Sequence, residues 1–232
     1  MRYTRKYYLL FPVICFLLNF RAQSQQVDYY TGYDHRNFRE EKVFNKPVDF
    51  EQLDINRINA VVFHLTNETR VAHKLSPLSH STELEMASMM HATDMNREGF
   101  FSHFNETDAS KRTPYDRAKL CRITNPFLAE NIIQGFGLQY QPNDPVYTRG
   151  PGKFSKTADG ALIEPHTYLS LGETFIEGWM NSKDHRNNML SKDALQLGCG
   201  VVFYVNPDFN EMPSFIAVQC FQLFQPIIPE RP

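Results

Sequence analysis

The chain has no run of basic residues, no low-complexity tract and no internal repeat. The first absence argues against nucleic acid or an anionic membrane surface as a partner, because both are gripped by clustered Lys and Arg. No His-x-x-x-His pair occurs, so no single helix preorganises two imidazoles for a metal. No stretch after residue 24 is apolar enough to span a bilayer. Cysteine is scarce. Of four, Cys15 lies in the N-terminal apolar run, and the odd remainder of Cys121, Cys199 and Cys220 allows one disulfide at most.

What is present begins with an export signal. Arg2, Arg5 and Lys6 precede an almost wholly apolar run from Tyr7 to Phe20, and Ala22-x-Ser24 is a small-x-small cleavage pattern. The run is shorter than the ~20 residues of a spanning helix. Residues 1–24 are therefore expected to be removed. Four of the 24 basic residues and none of the 26 acidic ones lie in that segment, so the remainder carries a formal charge of −6. It is long enough for one to two domains with a buried core.

Residues 25–50 read as an irregular arm, 51–225 as the domain and 226–232 as a tail. Ile55, Ile58, Val62, Leu65 and Ala72 recur near the helical period, which predicts a helix from Asp54 or Asn56 to about Leu75. A second helix is expected over Ser81–Arg97, closed by Gly99. A third, over Thr113–Cys121, has Pro114 at its first position. A fourth spans Leu169–Met180, and Ser182 suits the N-cap of a short helix through Leu190. Residues 136–168 hold eight Gly and Pro and read as a long functional or mobile loop. Its aromatics Tyr140, Tyr147 and Phe154, with Tyr168, would suit a ligand.

Leu197–Val205 and Ser214–Phe224 are strand-like and flank turn formers, which predicts an antiparallel hairpin. With Val205 opposite Ser214, Phe203 faces Ile216, Val201 faces Val218 and Cys199 faces Cys220. That register predicts a Cys199–Cys220 disulfide, permissible after export, and a free, buried Cys121.

Four segments stand out for chemistry: Phe100-Phe101-Ser102-His103, Ala129-Glu130-Asn131-Ile132, Trp179 to Leu190, and Leu197-Gly198-Cys199-Gly200-Val201. Each also has a structural reading. Ser182 caps a helix. His185, in that helix's first turn, is kept neutral by the positive end of the dipole. Glu130 is a buried, hydrogen-bonded carboxylate, and His103 satisfies backbone carbonyls. Ser182, Asp184 and His185 are too close in sequence for a hydrolase triad. His91 shares a face with Leu84 and Met95 and reads as a core histidine. Asn67-Glu68-Thr69 and Asn105-Glu106-Thr107 fit the glycosylation acceptor pattern.

Taken together, Ser102-His103, Ala129-Glu130-Asn131-Ile132, the Trp-x-x-Ser-x-x-His-Arg-x-Asn of 179–188 and Leu197-Gly198-Cys199 resemble the CAP family: cysteine-rich secretory proteins, antigen 5 and pathogenesis-related proteins of the first class. The likeness is to its bacterial branch and covers about residues 51–225. It implies an α+β fold, a three-layer α-β-α sandwich around a central antiparallel sheet. It also implies a cleft lined by two histidines and two acidic residues. His103, Glu130 and His185 match three of these positions, and the fourth is Ser182.

Two functions follow from the resemblance. In one, an exported binding protein, secreted or periplasmic, holds an extracellular or envelope ligand, a lipid or a protein, in the cleft formed by His103, Glu130, Ser182 and His185. In the other, His103, His185 and Glu130 hold zinc and a bound water as a metal-assisted hydrolase.

Overall fold

The computed structural model describes residues 28–223. The expected leader and the 226–232 tail lie outside the described residues.

Helix α1 (Ile55–Ala72) starts where Asp54 accepts a hydrogen bond from the Arg57 backbone. Its Ile58, Val62 and Leu65 are buried. Helix α2 (Thr82–Glu98) is capped by the Ser81 side chain and ends at Gly99, whose φ of 69° is the left-handed conformation that glycine adopts freely. Helix α3 (Pro114–Leu120) opens with a reciprocal Thr113–Asp116 capping box, and α4 (Tyr168–Asn181) with the Thr167–Ser170 counterpart. Helix α5 (Lys183–Met189) follows α4 directly. Its N-terminal flank is Ser182, as expected, but the Ser182 side chain makes no capping hydrogen bond.

The central sheet contains β1 (Ser79–His80), β2 (Leu128–Phe136), β5 (Ala194–Asn206) and β6 (Met212–Leu223), in the order β1-β5-β6-β2. Three strands are antiparallel, while the short β1 runs parallel to β5, so the sheet is mixed at one edge. Helix α2 covers one face and α1 with α4 the other, which gives the expected three layers. The layers meet closely because β5 presents glycine to α2. A Cβ on Gly198 would lie 2.0 Å from the Glu85 backbone nitrogen, and one on Gly200 2.3 Å from that of Met89.

Those glycines decide the hairpin register. Gly198 and Gly200 must face α2, so Cys199 and Val201 face α1 and α4. The ladder pairs Tyr204 with Ser214, Gly198 with Cys220 and Cys199 with Gln219. This lies one residue from the register expected from sequence, and a one-residue slip sends every side chain to the other face. Cys199 packs in the α1–α4 core and Cys220 in the α2 core. The expected Cys199–Cys220 disulfide is therefore absent, and Cys121, Cys199 and Cys220 are all free and buried.

The arm packs on the domain. Tyr29, Phe38, Phe44 and Val48 are buried against α1 and α4. His64 anchors the arm through a 2.8 Å bond from its Nε2–H to the Tyr29 carbonyl. The stretch 136–168, read as a loop, contains a small hairpin of β3 (Tyr147–Gly150) and β4 (Lys153–Ser155). Phe154, Leu138, Ile163 and Met212 form a separate small core. Phe154 and Tyr168 are thus packing residues and not free ligand contacts. Asn67 and Asn105 are buried and hydrogen-bonded, so neither acceptor sequence is open to glycosylation in the folded chain.

Candidate functional site

Strand β2 lies at the sheet edge, and its side chains alternate between the two helical layers. Glu130 points into the α2 layer and Asn131 into the α1–α4 layer. This two-residue step positions most of the site.

The Glu130 carboxylate is almost wholly removed from water, which is costly for a charge unless it is paired and hydrogen-bonded. Arg117, fully buried on α3, donates from Nη2 to Oε2 at 2.7 Å. The same guanidinium donates to the carbonyls of Lys111 at 2.9 Å and His103 at 3.1 Å. His103 donates from Nδ1 to Oε1 at 2.9 Å. Burial pushes the Glu130 carboxyl up, but the His103 hydrogen bond and the Arg117 charge outweigh it and hold the group below its usual range. Glu130 is therefore ionised at neutral pH.

His103 turns its Nδ1–H to Glu130, which leaves Nε2 as the outward nitrogen of this partly exposed ring, an acceptor in the neutral imidazole. His91, fully buried on α2, donates from Nε2 to the Ser102 carbonyl at 2.9 Å and lies 3.7 Å from Glu130 Oε1. Burial brings its pKa down to about 4, with Glu130 offsetting part of the effect. It is a core histidine, as its helical face suggests, and it fastens the loop that carries His103.

His185 stands in the first turn of α5. Its carbonyl accepts from Asn131 Nδ2 at 3.1 Å. Asn131 belongs to a polar row through the α1–α4 layer: Thr66 accepts from Gln219 at 2.7 Å, Gln219 accepts from Asn131 at 3.1 Å, and Asn131 accepts from Asn188 at 2.9 Å. Buried Arg70 holds the other end of α5 through the Met189 carbonyl at 2.8 Å. Burial lowers the His185 pKa, and the nearby His103 lowers it further. The His185 and His103 rings are thus close enough for their charges to interact. Ser182 is half-exposed at the start of α5 and makes no side-chain hydrogen bond to His103, Glu130 or His185.

The zinc set expected from His103, His185 and Glu130 does not fit this arrangement. Among the described residues no group of three or more His, Cys, Asp or Glu is placed to hold a metal ion. Arg117 takes one carboxylate oxygen, and the protonated Nδ1 of His103 takes the other. A guanidinium in contact with the carboxylate also repels a cation. The site offers instead an acid-anchored imidazole and a second imidazole. Sequence reasoning singled out Glu130, His103 and His185 but missed Arg117, Asn131 and Asn188 as their supports.

Residues 63–221 match the family model described as the cysteine-rich secretory protein family, CAP. The chain is 26% identical over 140 residues to the uncharacterized membrane protein YlbC of Bacillus subtilis strain 168, covering 60% of this chain and 30% of that one. It is 26% identical over 141 residues to the uncharacterized protein YkwD of the same organism, covering 61% and 41%. The chain therefore spans less than half the length of either relative. A crystal structure of an extracellular protein containing an SCP domain from Bacillus anthracis shares the fold, with a TM-score of 0.51 at 22% identity, over 76% of this chain and 44% of that one. The chain belongs to the cysteine-rich secretory protein (CAP) family.

Proposed function

We propose that the protein is exported and acts as a binding module, holding an extracellular or cell-envelope ligand at the His103–Glu130–His185 cleft. The observation that carries this reading is the anchoring of His103. Glu130, itself held by Arg117, fixes the orientation of the ring, so that Nε2 of a partly exposed imidazole is the nitrogen presented outward. Such a pair, with His185 nearby, suits hydrogen bonding to a polar group of a lipid headgroup or a protein. The hydrolase alternative needs a metal-bound water on His103, His185 and Glu130, and Glu130 is already committed to Arg117 and His103. No helix among the described residues is long and apolar enough to cross a membrane.

The test uses the purified chain from residue 25, incubated with washed envelope material and, separately, with a total lipid extract. Retention of protein or lipid that disappears in a His103→Ala, His185→Ala double variant supports the cleft. Equal retention by wild type and variant, or none by either, overturns it.

A further inference from the structure

The free edge of β2 continues along the strand from Glu130 and lies apart from the His103–Glu130 pair. Gly137 donates to the Pro213 carbonyl at 2.7 Å, and Leu223 donates to that of Phe127 at 2.7 Å. With the observed register, these bonds fix the ladder: odd-numbered β2 residues bond β6, and even-numbered ones turn their backbone groups outward. At one end, Asn188 on α5 covers the outward carbonyl of Glu130 at 3.3 Å. At the other end, residues 164–166 pair with 137–139 through the bonds from His166 to Gly137 and from Gln139 to Glu164. Between them lie the outward backbone groups of Ile132, whose side chain is buried in the α2 core, of exposed Gln134 and of half-buried Phe136. Their N–H and C=O groups have no hydrogen-bond partner among the described residues. An uncapped edge of this kind is a template for one more strand.

The two faces flanking this stretch are hollow. On the α4 side, Ile133, Phe136, Tyr140, Pro142 and Phe175 line a cavity of about 300 Å³. On the α2 side, Met95, Phe100, Phe101, Tyr204 and Ile216 line one of about 510 Å³. Gln134 borders both. A strand added beside Gln134 would send successive side chains alternately into the two hollows. Each hollow is bordered by one exposed carboxylate, Glu177 or Asp208, and by no Lys or Arg. Neither carboxylate forms an ion pair among the described residues.

We propose that the Ile132–Phe136 edge binds an extended peptide by strand addition, with apolar side chains seated alternately in the two hollows and a basic residue facing Glu177 or Asp208. The outward backbone groups select for a peptide, because a lipid chain cannot pair with them. The hollows on both faces select for bulky apolar residues at neighbouring positions. The proposal does not depend on the imidazole cleft.

A random nine-residue peptide library displayed on phage is panned against the purified chain without its leader, and the enriched peptides are synthesised with a fluorophore. Enrichment of sequences with adjacent large apolar residues and at least one Lys or Arg is expected. Gln134→Pro removes an outward N–H without touching the β6 ladder, and it should weaken binding by about tenfold or more, the worth of one backbone hydrogen bond. N-methylation of alternate peptide nitrogens should do the same on the wild-type chain, which keeps the test valid if Gln134→Pro misfolds. The His103→Ala, His185→Ala variant should bind the peptide unchanged, so failure here and failure of the cleft are told apart. No enrichment, or binding indifferent to both changes, overturns the proposal. So does a concentration-dependent dimer that competes with peptide and is lost in Gln134→Pro, since a second copy would then be the occupant.

Discussion

Arg117 Nη2 lies 2.7 Å from Glu130 Oε2, and both side chains are out of solvent. A buried pair of this kind is costly to break from one side only, because the surviving charge stays behind. Arg117→Met should cost about 3–5 kcal/mol of stability at neutral pH. The Arg117→Met, Glu130→Leu double variant should be closer to wild type than either single variant. Urea titration of the four proteins at one pH reads this directly. Additive losses would mean that the two charges do not depend on each other.

Stability should fall as the medium is acidified, because burial depresses the pKa of His64, His91 and His166 alike, with His91 the most strongly shifted. The folded-state pKa of His91 is about 4, below the unfolded value of ~6.5, so the unfolded chain takes up the proton first. The His91 contribution is complete above ~pH 6.5 and is lost down to about pH 4, on the order of 3 kcal/mol in all. Glu130 acts in the same direction at lower pH. Its folded pKa is depressed, so its contribution is lost as pH falls through that value. Thermal melts across this range should show the decline, and His91→Gln should flatten its upper part.

The three thiols should titrate only after unfolding. Ellman's reagent under denaturing, non-reducing conditions should find all of Cys121, Cys199 and Cys220, and the native chain should react slowly. Reductant should leave the melting temperature unchanged. A non-reducing digest containing a peptide that links Cys199 to Cys220 would contradict the observed register.

Glycine should matter unequally. Gly198→Ala drives a methyl group into the α2 backbone and should cost about 3 kcal/mol. Gly99→Ala meets no atom within 4 Å and carries only the strain of a positive φ, about 1 kcal/mol. Chemical denaturation of the two variants should rank them in that order.

The elements readable from sequence were those whose signals are local. Asp54, Ser81 with Gly99, and Thr113-Pro114 mark helix ends through caps that act within one turn. Strand β2 was visible only as a motif, because buried Glu130 and Asn131 interrupt the apolar pattern that identifies a strand. The hairpin was visible but its register was not. Nearly every residue of β6 is buried, so alternation cannot tell its two faces apart, and the decisive clue lay in Gly198 and Gly200 against α2. Arg117 gave no warning. On a seven-residue helix it looks like any solvated charge, and its partner lies 13 residues along the chain.

Neighbouring residues 130 and 131 point into opposite layers. A single residue inserted in β2 ahead of Glu130 would exchange their destinations, sending the carboxylate toward α5 and the amide toward Arg117. His103 would lose its anchor and α5 its tether in the same event. The segment should therefore tolerate changes of side chain far better than changes of length.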